Sequence, residues 1–415
     1  MIKTFAIKDD DTELQQLNYE LNNSSGLNRT EVFLKRRIKL CFVIFQFVKW
    51  AIFEWIAKHL DKDKFDVTFI LLFNGKSPLV DPLSKMSIPF YEVQYAGNKH
   101  RKKAGFEIFS IYRKIKPDIV HTHFQPADIS GLIAAWFSRI PVRIHTRHHA
   151  GPYPLPHKFR SYKRFDKLNK FFSTHIVAIS SLVKKVLEEE GVSQKKIRLV
   201  YHGFDIKQFD NVSESRINEL RKQYIPEDAG PIIGFVSRYQ AWKGLSYSIP
   251  AFKKILKDFP NAFLILANAW GPDSEMVKKL LSEIPSDRYV EIKYEEDVYA
   301  LFKLFNVFVH TPIEAHYESF GQVYIEALIA GVPSVCTKSG IALEYAKHKE
   351  NAYLVDHQNE EQIVEGIKEL LENIPLQQKI RTNGRKIVES SFDVKRMMNS
   401  FEELYLSVVP TAHKS

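Results

Sequence analysis

Short apolar runs alternate with longer stretches of helical periodicity almost from end to end of the chain, the pattern of parallel sheets built from βαβ units. In the first half the strand-like runs are 39–45 (KLCFVIF), 66–73 (DVTFILLF), 118–124 (DIVHTHF), 142–147 (VRIHTR), 175–180 (HIVAIS) and 197–203 (IRLVYHG). In the second half they are 231–238 (PIIGFVSR), 262–269 (AFLILANA), 289–294 (YVEIKY), 307–311 (VFVHT), 333–337 (PSVCT) and 352–356 (AYLVD). Each set suffices for one doubly wound domain. The expected fold class is α/β, with two Rossmann-like domains facing each other across a cleft, because open parallel sheets bind ligands outside the carboxyl ends of their strands.

The expected boundaries follow from breaks in this pattern. Residues 1–35, with Asp9, Asp10, Asp11 and Glu13 where a secretory signal needs an apolar core, read as a tail. Residues 36–208 form the first domain and 209–391 the second, with 209–231, rich in charge and holding Pro226 and Gly230, as linker and entry. A helical pattern within 392–415 is expected to cross back to the first domain. The most membrane-like stretch, 38–57, contains Lys39, Gln46, Lys49 and Glu54 and reads as a buried strand followed by an amphipathic helix.

Composition narrows the class. The 415 residues are 45% apolar and 26% charged, which is globular and leaves no low-complexity tract. Cys41 and Cys336 each sit inside an apolar run, so neither a disulfide framework nor a zinc cluster is available, and a reducing cytoplasm fits best. The net charge of +10 is unevenly spread: residues 1–208 hold 35 Lys/Arg against 20 Asp/Glu, and the remainder 24 against 29. A basic first half suits an anionic partner such as a phospholipid surface or a phosphorylated acceptor. Nucleic acid is disfavoured because no reading module accompanies the charge. A nicotinamide dehydrogenase is disfavoured because no G-x-G-x-x-G follows any strand.

Three segments carry candidate chemistry. In HYESFGQVYIEALIAGVPSV, Glu318 and Glu326 are separated by seven residues. Two glutamates so spaced are ordinarily surface charges, but Glu326 lies among Val323, Ile325, Leu328 and Ile329. Ser319, Phe320, Gly321 and Gln322 form the turn into a helix whose first N–H groups suit a phosphate. In GFVSRYQAWKG, Arg238 and Lys243 follow the first strand of the second domain, placed to stabilise a departing diphosphate. In KPDIVHTHFQ, His121 and His123 alternate onto one strand face. A metal pair is the competing reading there, but no third ligand stands at a plausible spacing.

Together these segments resemble the retaining glycosyltransferases of family four, the glycosyl transferases group 1. The E-x7-E run, the G-R-x-x-x-x-K-G element and the strand ending in H-x-H all fall in that family's order. So do 143–153 (RIHTRHHAGPY), 176–187 (IVAISSLVKKVL) and 199–209 (LVYHGFDIKQF), the last with His202 where the family has Asn. The resemblance implies the GT-B fold, with a donor/acceptor cleft between two facing domains, and transfer of a sugar from a nucleotide-diphosphate donor, UDP-sugar favoured. It implies that Glu326 holds the donor ribose, that Glu318 and His123 orient sugar and acceptor, and that Arg238 and Lys243 clamp the diphosphate. Tyr294 is expected to stack on the base, and Arg147 and His148 to line the acceptor side. The implied acceptor is a glycan or a lipid-linked sugar of surface polysaccharide or glycolipid biosynthesis. No cofactor and no metal are implied, since fixed cations and a helix terminus do a metal's work. Asp61-Lys62-Asp63 superficially resembles a metal-binding D-x-D but precedes a strand and reads as a turn.

The chain departs from the family at its first loop, where the usual Gly-Gly is replaced by IFQFVKWAIFEW, leaving Lys49 as an alternative cation, and at ILANAWGP, where only Gly271 fits the usual turn. A basic amphipathic pattern at 157–172 suits the inner face of an anionic membrane, or else an internal helix with one solvated face. The alternative functions are a nucleotide-sugar epimerase of the same fold and a non-catalytic sugar-binding relative.

Overall fold

A computed structural model describes residues 36–45, 50–151 and 159–409, apart from the side chains of 159–163. The expected tail 1–35 and Lys49 lie outside the described residues, as do the first two residues of the basic 157–172 pattern.

The apolar runs form two sheets. The first holds β1 (Ile38–Phe45), β2 (Phe65–Phe73), β3 (Phe90–Gln94), β4 (Ile119–His123), β5 (Val142–Arg147), β6 (His175–Ala178) and β7 (Ile197–Leu199) in the order β3-β2-β1-β4-β5-β6-β7. The second holds β8 (Ile232–Val236), β9 (Phe263–Ala267), β10 (Tyr289–Ile292), β11 (Val307–His310), β12 (Ser334–Thr337) and β13 (Tyr353–Val355) in the order β10-β9-β8-β11-β12-β13. The pairings of β1 to β5 are parallel, as are those of the second sheet. Both orders are Rossmann-like, and each reverses direction once, between β1 and β4 and between β8 and β11. Such a switch point leaves a crevice at the carboxyl ends of its two central strands.

Each central strand is buried on both faces, which is why it reads as a continuous apolar run rather than an alternation. The edge strands β3, β7 and β10 each bury one residue, and β3, with only Val93 buried and a sequence FYEVQ that carries no apolar run, was not expected. Helices fill the faces: Gly131 in the helix Gln125–Phe137 rests so close to the sheet that a Cβ there would lie 3.0 Å from Thr122 Cγ2 and 3.4 Å from Val43. The expected linker 209–231 contains a helix, Glu214–Tyr224, capped by the Ser213 hydroxyl accepting from the Arg216 N–H. Asp61-Lys62-Asp63 is a turn, closed by the Asp63 N–H donating to Asp61 Oδ1 at 2.9 Å.

By contact density the chain divides into two compact units. The first takes the chain up to Thr146 with Ser161–Ile176 and Phe401–Ser415; the second takes Arg147–Arg160 with Val177–Ser400. One apolar core lies in the first, around Val43, Ile70, Val120 and Ala135, and another in the second, around Phe235, Ile249, Leu266 and Ile367. No helix of the described residues is long and apolar enough to cross a membrane.

Candidate functional site

The second unit gathers its charged side chains at the switch point of its sheet. Past the end of β8 the chain makes a short turn, Ala241–Lys243, that closes on Gly244. Gly244 has φ +78°, and a Cβ there would sit 1.8 Å from the Thr311 carbonyl oxygen, so only glycine lets this turn pack against the chain leaving β11. The packing aims Lys243 at the β11 loop, where its Nζ donates to Glu318 Oε2 at 2.5 Å. His310, the last residue of β11, brings Nε2 to the same oxygen at 3.0 Å. Its ring is buried edge-on to Tyr324, 4.7 Å between centroids.

Two neighbours on one oxygen set the electrostatics of Glu318. Burial alone would raise its carboxyl, but the Lys243 ammonium and the His310 hydrogen bond outweigh burial and hold it down at about 2. Burial lowers His310, so its imidazole is neutral near pH 7. His310 was not singled out by motif; the one available signal was a histidine ending an apolar strand eight residues before Glu318.

Beyond Glu318 the backbone is fixed at several points. The Ser180 hydroxyl donates to the Ser319 carbonyl at 2.6 Å, and the Ala150 N–H donates to the Ser319 hydroxyl at 2.8 Å. Phe320 is buried edge-on to His202, whose imidazole burial holds down at about 3. Gly321, at φ +82°, leads into the helix Gln322–Ala330; a Cβ there would meet the Tyr324 ring and Glu318 Cγ within 3 Å. The helix therefore starts beside the Glu318 carboxylate, and Gln322 is its first residue. Glu326, one turn in, is partly buried among apolar neighbours. Burial pushes its carboxyl up to about 7, and no ion pair or side-chain hydrogen bond engages it among the described residues.

Arg238 and Lys243 share the β8 loop but not their surroundings. Arg238 is exposed, with its guanidinium 5.6 Å from the centre of the Trp270 indole and no carboxylate partner among the described residues. Trp270, 47% exposed, was another residue no motif pointed to. Tyr239 beside it is buried and donates to Glu291 Oε1 at 2.6 Å, anchoring the loop. Tyr294, just past β10, is 60% exposed.

Arg147 and His148 complete the set in this unit. Arg147 is buried, and its two terminal nitrogens donate to Glu190 Oε2 and Oε1, each at 3.1 Å, while Nε donates to the His149 carbonyl. The guanidinium expected to meet an acceptor thus has both terminal nitrogens on a carboxylate of its own chain. His148 is partly buried and stacks on His202, with centroids 5.7 Å apart.

The first unit places His123 at the carboxyl end of β4, beside its own switch point. Its ring is buried, 4.4 Å from that of His121 and 5.0 Å from Phe53. His121 lies between Thr146 Oγ1 at 2.7 Å and the Tyr405 hydroxyl at 2.8 Å. Phe124 follows with φ +70°, a strained conformation for an aromatic residue, in the turn that opens the helix Gln125–Phe137. Among the described residues no group of three His, Cys, Asp or Glu is disposed to hold a metal ion.

Family models for glycosyl transferases group 1 and for glycosyltransferase family 4 match residues 216–387 and 55–208. The capsular polysaccharide biosynthesis glycosyltransferase CapM of Staphylococcus aureus is 27% identical over 318 residues, covering 73% of this chain and 80% of CapM. The UDP-Gal:alpha-D-GlcNAc-diphosphoundecaprenol alpha-1,3-galactosyltransferase of Escherichia coli is 22% identical over 371 residues, covering 84% and 91%. In fold, the chain is similar to Anabaena HepE, crystallised with UDP and glucose, at a TM-score of 0.76 and 21% identity over 89% of this chain and 100% of HepE.

Proposed function

We infer, for a chain that belongs to the glycosyl transferases group 1 of family 4, that its donor is a nucleotide-diphosphate sugar, a UDP-sugar in the first instance, and that transfer retains the anomeric configuration. The observation that carries this reading is the pairing of two cations at the β8/β11 switch point, one held by a carboxylate and one left open. Arg238 stands open to solvent with an indole beside it, while Lys243 is poised on Glu318. An arriving diphosphate competes with Glu318 for Lys243 and takes up Arg238 directly. Glu318 then keeps His310 as its partner and turns toward the transferred sugar.

The remaining roles follow from the same chemistry. The amide groups opening the helix Gln322–Ala330, after Ser319, Phe320 and Gly321, add partial positive charge toward the phosphates. Glu326 accepts from the ribose hydroxyls, for which a carboxylate without an internal partner is suited. Tyr294 offers an exposed ring for the base. As the bond between the sugar's anomeric carbon and the diphosphate breaks, the acceptor hydroxyl attacks from the same face, and its proton passes to the leaving phosphate oxygen. Fixed cations stabilise the negative charge that accumulates there, so the reaction proceeds without a metal ion. His123 orients the acceptor. The acceptor is a glycan or a lipid-linked sugar, as the named activity of the E. coli relative suggests, and the enzyme works in the cytoplasm at the inner face of the membrane.

Calorimetric titration of UDP, GDP, ADP and their sugars into the wild type and into Arg238→Ala tests the reading. One nucleotide should bind the wild type and lose about 10- to 100-fold in affinity in the variant, the worth of a charge-assisted contact to phosphate. Binding by none of them on folded protein would sink the proposal. Interconversion of the donor sugar without any acceptor would make the chain an epimerase instead.

A further inference from the structure

One face of the first unit joins large exposed rings to exposed positive charge from two separate sequence segments. The helix Gln125–Phe137 ends in Trp136 and Phe137, 47% and 64% exposed, and the helix Phe159–Phe172 carries Phe171 at 73% and Leu168 at 39%. Single exposed apolar side chains are ordinary, but these are contiguous. The Trp136 ring lies 4.9 Å from Phe137 and 5.7 Å from Phe172, and Phe172 lies 5.1 Å from Phe171. Arg139, Arg164 and Lys167 are exposed on the same two segments. The carboxylates of those segments, Asp128 and Asp166, are both buried, and Asp166 is held by Lys170 at 3.0 Å.

We propose that this aromatic patch and its surrounding cations seat the first unit on an anionic lipid surface, with the rings at headgroup depth and the cations against lipid phosphates. Trp and Phe favour that depth, where an apolar ring meets a polar boundary, and a cation beside an anionic leaflet is attracted over about one Debye length. A second copy of the chain would also cover the rings, but a two-fold contact would set the same cations against each other, whereas an anionic surface neutralises them. The inference rests on the reading of the acceptor as one presented at a membrane, and its test is read apart from sugar transfer.

The full chain is floated with vesicles of phosphatidylcholine alone and of phosphatidylcholine with phosphatidylglycerol. Wild type should float with the anionic vesicles only, and high salt should release it. Trp136→Ser, Phe137→Ser and Phe171→Ser combined should lower the bound fraction about tenfold, and Arg164→Glu with Lys167→Glu should do so by about fivefold for each cation removed. Should the aromatic variant fail to fold, the charge-reversed variant decides alone. Wild type that stays unbound with anionic vesicles, or variants that float as wild type does, would overturn the proposal. So would a doubling of mass without lipid that the aromatic variant abolishes, since that result assigns the patch to a second copy. UDP binding is measured on the same samples. Lost flotation with unchanged UDP affinity isolates the surface, and intact flotation with no UDP binding counts against the donor reading alone.

Discussion

Arg147 and Arg238 stand at the carboxyl ends of parallel strands, the first as the last residue of β5 and the second just past β8, each in a motif that promises an anion, and their surroundings are opposite. Arg147 is buried with both terminal nitrogens on the Glu190 carboxylate. Arg238 is exposed beside Trp270. A guanidinium already forked onto a carboxylate has its charge and its geometry satisfied, and offers a further anion little. One backed by an aromatic face keeps its donors directed outward. The same residue at the same kind of site is therefore already paired in one case and open to solvent in the other, according to what the rest of the chain sets opposite it.

The comparison breaks most sharply at Arg147. Arg147→Ala leaves Glu190 without its main partner and should lower the unfolding free energy by about 2 to 4 kcal/mol, somewhat less than for a fully buried pair because Glu190 retains contact with water. Thermal or denaturant melting measures this, and nucleotide affinity should stay as in wild type. A stable Arg147→Ala protein that has lost acceptor turnover would return Arg147 to the acceptor side.

Arg238→Lys gives a smaller effect of the opposite kind. A lysine keeps the charge but loses the planar fork, so nucleotide affinity should fall about tenfold by calorimetry with no shift in melting. Equal affinity in the two proteins would mean that Arg238 acts only as a point charge.

The smallest effect is a pH dependence at Glu326. Its carboxyl is raised by burial to about 7, so the ionised form that accepts best from ribose hydroxyls is lost as pH falls through 7, and nucleotide affinity should weaken a few-fold there. Glu326→Gln should flatten that profile. The same shift has a sign for stability. Between its unfolded value of 4.5 and about 7 the native carboxyl holds a proton that the unfolded chain has released, so Glu326 opposes folding increasingly as pH rises through that window. Glu326→Gln should melt slightly higher at pH 8 than wild type; a lower melting point would mean that the carboxylate has a partner in the fold.

Much of the architecture was legible because buried parallel strands announce themselves. Runs such as FILLF in β2 or LILA in β9 have no polar face to hide, and their alternation with helical periods leaves few topologies. The edge strand β3 escaped because FYEVQ buries only Val93. In the site, the charged residues stood out through spacing: Arg238 and Lys243 after one strand, Glu318 and Glu326 after another. Their partners did not. His310 meets Glu318, and Trp270 sits under Arg238, because β8, β9 and β11 are neighbours in a sheet whose order local pattern does not state. Glu190 likewise lies 43 residues from the arginine it neutralises.

The sequence by itself determined that this chain folds as two α/β units, each around a parallel sheet, and it marked which segments carry charge, since hydrophobic period and motif spacing are local properties of a polymer. Only the tertiary structure decided which charges are already spoken for. A carboxylate's pull on a cation depends on a few ångströms and on how much water remains between them, and that distance exists only once strands distant in sequence have been laid side by side.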